Sequence, residues 1–169
     1  MQSHILRIGD WAQDEDSPVF PVGSQPKTLL VCQEDLQSSE VIPGHKYIFK
    51  TPGGWQEHQI WSEVIAYEIS LGTRVKVPRS LIAQGSDGRL GVLMEFFYGH
   101  PGADHDTRFV HGSDLLFRTI LDKKTGRPHG VRTNAILSGR YGVTNAVTWW
   151  GEILVFDALI GNSDRHPDN

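Results

Sequence analysis

The sequence predicts an α+β chain: an antiparallel β-sheet with one main helix, followed by a mostly helical second part. Three observations carry this reading. Apolar runs rich in β-branched and aromatic residues recur before residue 98, a strong helical periodicity sits among them over 55–71, and the pattern turns helical after the break Gly99-His100-Pro101-Gly102. A chain of 169 residues with 38% hydrophobic content can bury one sizeable core or two small lobes. The break near residue 99 favours two parts, 1–98 and 99–169, joined by a hinge.

The first stretch, through Pro26, mixes the acidic cluster Asp14, Glu15 and Asp16 with Pro18, Pro21 and Gly23. It offers short strands at 5–8 and 19–22, and loops dominate it. Residues 27–33 form a β-rich apolar run that ends in the turn-like Glu34-Asp35. Residues 45–51 alternate through Tyr47, Ile48, Phe49 and Lys50 until Pro52-Gly53-Gly54 stops them, so two neighbouring antiparallel strands are expected. Over 55–71 the residues Ile60, Val64, Tyr67 and Leu71 recur at helical spacing, with Trp61 and Ile65 widening the stripe and Gly72 placed as a C-terminal cap. Strand-like runs at 75–83 and 89–97 flank Ser86-Asp87-Gly88, a hairpin signal. Helices are expected at 113–122 and 144–160. The second carries Val147, Trp150, Leu154, Asp157 and Ile160 and runs into a polar terminal loop, 161–169.

Charge and composition narrow the function. Sixteen basic and 20 acidic residues leave a net charge of −4, which speaks against a general nucleic-acid binder. The single cysteine, Cys32, follows the apolar run Leu29-Leu30-Val31 and reads as an inert core thiol; one cysteine permits no disulfide within the chain. Met1-Gln2-Ser3-His4 lacks a basic region followed by an apolar stretch, and no apolar run is long enough for a transmembrane segment. A cytoplasmic location is expected.

The terminal loop is the most specific feature. Asp164 and Asn169 stand five residues apart after an apolar helix. Phosphoryl transfer needs a carboxylate to orient the attacking hydroxyl and an amide oxygen to hold magnesium against ATP phosphates, and one loop can supply both. Taken alone, the pair is equally a polar turn. Lys50, at the end of its strand, reads by itself as a solvated edge lysine. Glu63 changes that weighting: it borders the apolar stripe of the helix after the lysine strand, where a carboxylate calls for a cation. In protein kinases a strand lysine on the ATP phosphates is held by a glutamate from the next helix. Gly23, Ser24 and Gln25 form a turn whose backbone could approach phosphate, against the plainer reading of an ordinary turn. Met94-Glu95-Phe96-Phe97 could offer backbone hydrogen bonds to adenine, against the commoner strand-end packing. A zinc site built from His100, Asp104, His105, Asp106 and His111 fits no ligand spacing and yields to a solvated loop. Arg132 and Arg140 suit either substrate phosphate or solvent.

Five segments in chain order resemble motifs of the HipA-like kinases: Gly23-Ser24-Gln25-Pro26-Lys27, Tyr47-Ile48-Phe49-Lys50, Val75-Lys76-Val77-Pro78, Arg108-Phe109-Val110-His111-Gly112-Ser113 and the loop from Asn162 to Asn169. The stretch from Trp61 to Tyr67 with Asp164-Arg165-His166 also resembles the phosphatidylinositol-kinase-like families. The resemblance implies a protein-kinase-like fold, ATP and Mg2+ as cofactors, and a protein serine/threonine substrate; a lipid kinase and a non-catalytic nucleotide-binding fragment are the alternatives. It assigns Lys50 to the ATP phosphates, Glu63 to orienting Lys50, Asp164 to catalysis, Asn169 to magnesium, and His166 to support of the loop. Gly23, Ser24 and Gln25 would cover the nucleotide, and Glu95 and Phe97 are set at the hinge beside adenine by their position in the series alone. Kinases of this kind carry a second metal-binding aspartate beyond such a loop, so the chain is expected to be a fragment that stops at its catalytic loop. A toxin-like enzyme with a separate partner chain or antitoxin is implied.

Overall fold

The computed structural model describes residues 4–14, 27–53, 59–102, 110, 112–119, 130–163 and 165. The strand expected at 19–22 lies outside them. Two compact units emerge, 1–107 and 108–169.

The first unit holds a six-stranded sheet. Its strands are β1 (Leu6–Arg7), β2 (Ala12–Gln13), β3 (Lys27–Val31), β4 (Lys46–Lys50), β5 (Ser80–Gln84) and β6 (Leu90–Glu95), and helix α1 (Gln59–Ser70) falls between β4 and β5. The order across the sheet is β1-β5-β6-β4-β3-β2. Every pairing is antiparallel except β1 with β5. Alternation of side chains gives the sheet two faces. One face, with Leu30, Tyr47, Phe49, Leu81, Ala83 and Leu93, packs against Leu6, Ile8, Trp11, Cys32 and Val41 to make the core of the unit. The other carries Lys27, Lys50 and Val92, and α1 lies against β5 and β6.

Local chemistry accounts for the elements. The β5–β6 hairpin turns as the glycine signal predicts: Gly88 has φ 77° and its N–H donates to the Gly85 carbonyl, while the Gly85 N–H reaches the Arg89 carbonyl. The Asp87 carboxylate accepts from the Arg89 backbone N–H at 3.0 Å and from its guanidinium at 2.6 Å. β5 begins five residues later than the expected 75–83 run, because Pro78 has no N–H for a ladder and restrains Val77 before it. α1 starts within the expected helix and ends at Ser70 through short turns, Gly72 N–H to the Ile69 carbonyl and Thr73 N–H to the Ser70 carbonyl. Gly72 does not adopt the left-handed conformation expected of a cap. The inward line of α1 also differs from the expected stripe. Ile60, Ala66 and Ser70 are buried, whereas Trp61, Ile65 and Leu71 face outward.

The second unit contains α2 (Gly112–Thr119), α3 (Val131–Arg140) and α4 (Ala146–Ile160). α3 and α4 pack together, and the Trp150 indole N–H donates to Ser138 Oγ at 3.0 Å. α4 buries Ile153, Phe156 and Asp157, while the expected inward residues Val147 and Leu154 point outward. It ends at Gly161, φ 71°, whose N–H caps the Asp157 carbonyl. No helix among the described residues is long and apolar enough to cross a membrane.

Candidate functional site

Lys50 and Glu63 meet on the α1 face of the sheet. The strand ladder fixes Lys50 opposite Lys27 on one side and Val92 on the other, and Gly91 lets the strands approach at this point. A Cβ at Gly91 would stand 2.7 Å from the Phe49 ring and still nearer to the Lys50 carbonyl oxygen. Glu63 occupies the inward line of α1, between buried Ile60 and Ala66. From there its carboxylate accepts a hydrogen bond from Lys50 Nζ at 2.9 Å. The Lys50 side chain keeps 26% of its surface exposed and that of Glu63 keeps 38%, so the pair is reachable from solvent.

The ammonium has three donors. One is spent on Glu63, leaving two for an incoming anion. Lys27 adds positive charge on the same face; partial burial holds its ammonium below the ordinary lysine range, and the neighbouring Lys50 charge pushes in the same direction. The arrangement is chemically suited to phosphate oxygens. A cavity of about 320 Å³ opens on the opposite face, lined by Trp11, Leu30, Phe49 and Arg89 among others. Sheet parity separates it from Lys50, so it forms no part of this site.

The Glu95–Phe97 stretch ends β6. The Glu95 N–H donates to the Arg79 carbonyl and the Phe96 N–H to the Lys46 carbonyl, so both amides serve the sheet. Phe96 is buried against Tyr98, with ring centroids 4.6 Å apart, and Phe97 is exposed. Gly23, Ser24, Gln25, Asp164, His166 and Asn169 lie outside the described residues.

Next to Asp164, however, the loop has a visible anchor. Asp157, buried in the last turn of α4, accepts from Arg165 Nε at 2.8 Å, Arg165 Nη2 at 2.7 Å and Asn162 Nδ2 at 2.9 Å. The Arg165 guanidinium holds this carboxyl below the usual carboxylate range, Asn162 adding to the effect, while burial opposes it. The same bonds raise the pKa of Arg165 further. The residues on either side of Asp164 are thus tied to one helix position. Sequence reasoning placed Asp157 on the apolar stripe and missed this role; a carboxylate among apolar helix residues, eight before an arginine, was the available signal. Arg132 and Arg140 both fall on α3, a helix that the sequence pattern did not reveal.

Comparison with known proteins gives a fold. No family model matches the sequence, and no curated protein does. Among solved structures, the crystal structure of a Helicobacter pylori proinflammatory kinase, CtkA, is similar with a TM-score of 0.71 at 17% identity, over 98% of this chain. The chain spans about half the length of that kinase, 54%. Likeness at this identity concerns the backbone arrangement: the chain has a kinase-like α+β fold.

Proposed function

We propose that the chain is the nucleotide-binding part of an ATP-dependent phosphotransferase, a HipA-like kinase that passes the γ-phosphate to a serine or threonine hydroxyl of a protein. The Lys50–Glu63 hydrogen bond supports this reading best, because a partly exposed ammonium fixed by a helix carboxylate is the part that phosphoryl transfer requires of the sheet. In this reading Lys50 binds ATP phosphates and Glu63 keeps its ammonium in place. Gly23, Ser24 and Gln25 cover the phosphates. The base lies against Glu95 and Phe97, and with the Glu95 amide already engaged its carbonyl is the group left to meet an adenine amine. Asn169 holds Mg2+, which would supply charge neutralisation at the phosphates when bound. Asp164 orients the substrate hydroxyl and accepts its proton, and His166 supports the loop.

Calorimetric titration with Mg-ATP tests the reading. Lys50→Met removes the charge-assisted contacts, a loss of about 2 kcal/mol or roughly thirtyfold in affinity. In a full-length version, Asp164→Asn leaves the phosphate cradle alone and should bind ATP as the native protein does while losing transfer to protein. Equal affinity in native and Lys50→Met chains would remove the phosphate role of Lys50 and with it the proposal. Transfer to an inositol lipid instead of a protein hydroxyl would assign the lipid-kinase alternative.

A further inference from the structure

A second constellation lies on the opposite face of the sheet from Lys50. Register pairs Glu95 with Tyr47, on the core face. His45, just before β4, is fully buried, and its Nε2 lies 2.7 Å from the Phe96 carbonyl oxygen. A carbonyl only accepts, so Nε2 carries the proton and Nδ1 presents a lone pair. That Nδ1 is buried and makes no hydrogen bond of good geometry among the described residues, although the Gly99 backbone stands close enough to act on the ring. His100 stacks on His45, centroids 4.2 Å apart and planes 11° from parallel, and its Nδ1 stands 3.8 Å from Glu95 Oε1. One ligand atom from each of His45, Glu95 and His100 can be drawn so that all lie within 4.8 Å of one another.

We propose that His45, Glu95 and His100 form a binding site for Zn2+. Two imidazoles and a carboxylate are a zinc donor set, with a water completing the tetrahedron. The Phe96 carbonyl on His45 Nε2 is the outer partner that fixes the tautomer of a ligating histidine. With bonds of about 2.0–2.2 Å, ligand atoms in a tetrahedral site stand roughly 3.3–3.5 Å apart, so the widest observed spacing of 4.8 Å closes by about 1.5 Å. An imidazole binds metal in its own plane, and two nearly parallel rings cannot share one ion. His45 is held by Phe96, so His100 is the ring that turns; it is half exposed and follows Gly99, whose φ is 70°. The bound ion ties the start of β4 to the chain leaving β6. This site uses the Glu95 carboxylate where the kinase reading uses its backbone carbonyl, and it differs from the loop cluster weighed from sequence in using His45 and Glu95, some fifty residues apart.

The test is calorimetric titration of the chelator-treated chain with Zn2+, alongside Glu95→Gln and His100→Ala. Both positions are partly exposed, so these variants avoid the buried His45. The native chain should take up one tight Zn2+, and each variant should bind it at least about tenfold more weakly. X-ray absorption should show two imidazole nitrogens and a carboxylate oxygen on the metal. Absence of uptake at micromolar zinc would overturn the site. Uptake with unchanged affinity in both variants would overturn it equally, because the metal would then sit on other histidines of the chain.

Discussion

Lys50 meets Glu63 because neighbouring residues leave its strand no other position. Phe49, one residue earlier, turns to the core face and lies over Gly91, where any Cβ would collide with its ring and with the Lys50 carbonyl. Gly91 therefore acts on the site through backbone spacing. Gly91→Ala is expected to destabilise the first unit by about 2 kcal/mol, within the range for overpacking a core. Gly72→Ala serves as the contrast: its nearest neighbour would be the Ile69 carbonyl at 3.6 Å and its φ is not left-handed, so that change should be neutral or slightly stabilising. Urea unfolding of the two variants measures the difference, and equal midpoints would show that β4 and β6 do not meet this closely. Cys32 illustrates a residue whose chemistry burial suppresses: its thiol is pushed up to about 11, in keeping with the inert role read from its apolar run.

Element by element, legibility followed the range of the forces involved. β3, β4, β6, α1 and α4 could be read because apolar periodicity is a local record of burial. α3 could not: Thr133, Asn134, Ser138 and Gly139 are poor helix formers, its N-cap is Gly130 without a side-chain bond, and packing against α4 overrides these preferences. β1 falls within the short strand expected at 5–8, whereas β2 has two residues, too few for a pattern, and the parallel pairing of β1 with β5 joins residues over seventy positions apart. Of the candidate site, Lys50 and Glu63 were visible as strand then helix, whereas the anchoring of the loop by Asp157 depends on where α4 ends. Asp157→Ala should leave Arg165 and Asn162 without this acceptor, costing about 1–2 kcal/mol after allowance for the partial exposure of Arg165. Hydrogen exchange of the 161–165 amides should then quicken roughly tenfold. Because the Asp157 pKa is depressed, its contribution is complete above the ordinary carboxylate value of about 4 and fades as pH falls further. Protection factors corrected for intrinsic rates should thus be flat from pH 5 to 8 in the native chain; unchanged protection in Asp157→Ala would show that the loop is held by something else.

At the scale of the whole chain, the two units differ in how they treat apolar surface. The first closes its core between the sheet and the N-terminal segment, with Tyr47, Leu93 and Ala83 almost wholly buried. In the second, Val131, Ile136, Val147, Val155 and Leu159 face outward on α3 and α4, as does Tyr141 at the end of α3, Val147 at 73% and Val155 at 71% exposure. Isolated exposed apolar residues are ordinary, but so many on two packed helices exceed what a small soluble unit leaves uncovered. The 169-residue chain by itself should therefore bind the dye ANS without denaturant and associate as its concentration rises. Val147→Glu together with Val155→Glu should weaken both effects while leaving the urea midpoint of the first unit unchanged. Dye fluorescence and sedimentation velocity provide the measurements. A monomer that ignores the dye at high concentration would show that these side chains are covered in solution, and the picture of an open apolar face on the second unit would fall.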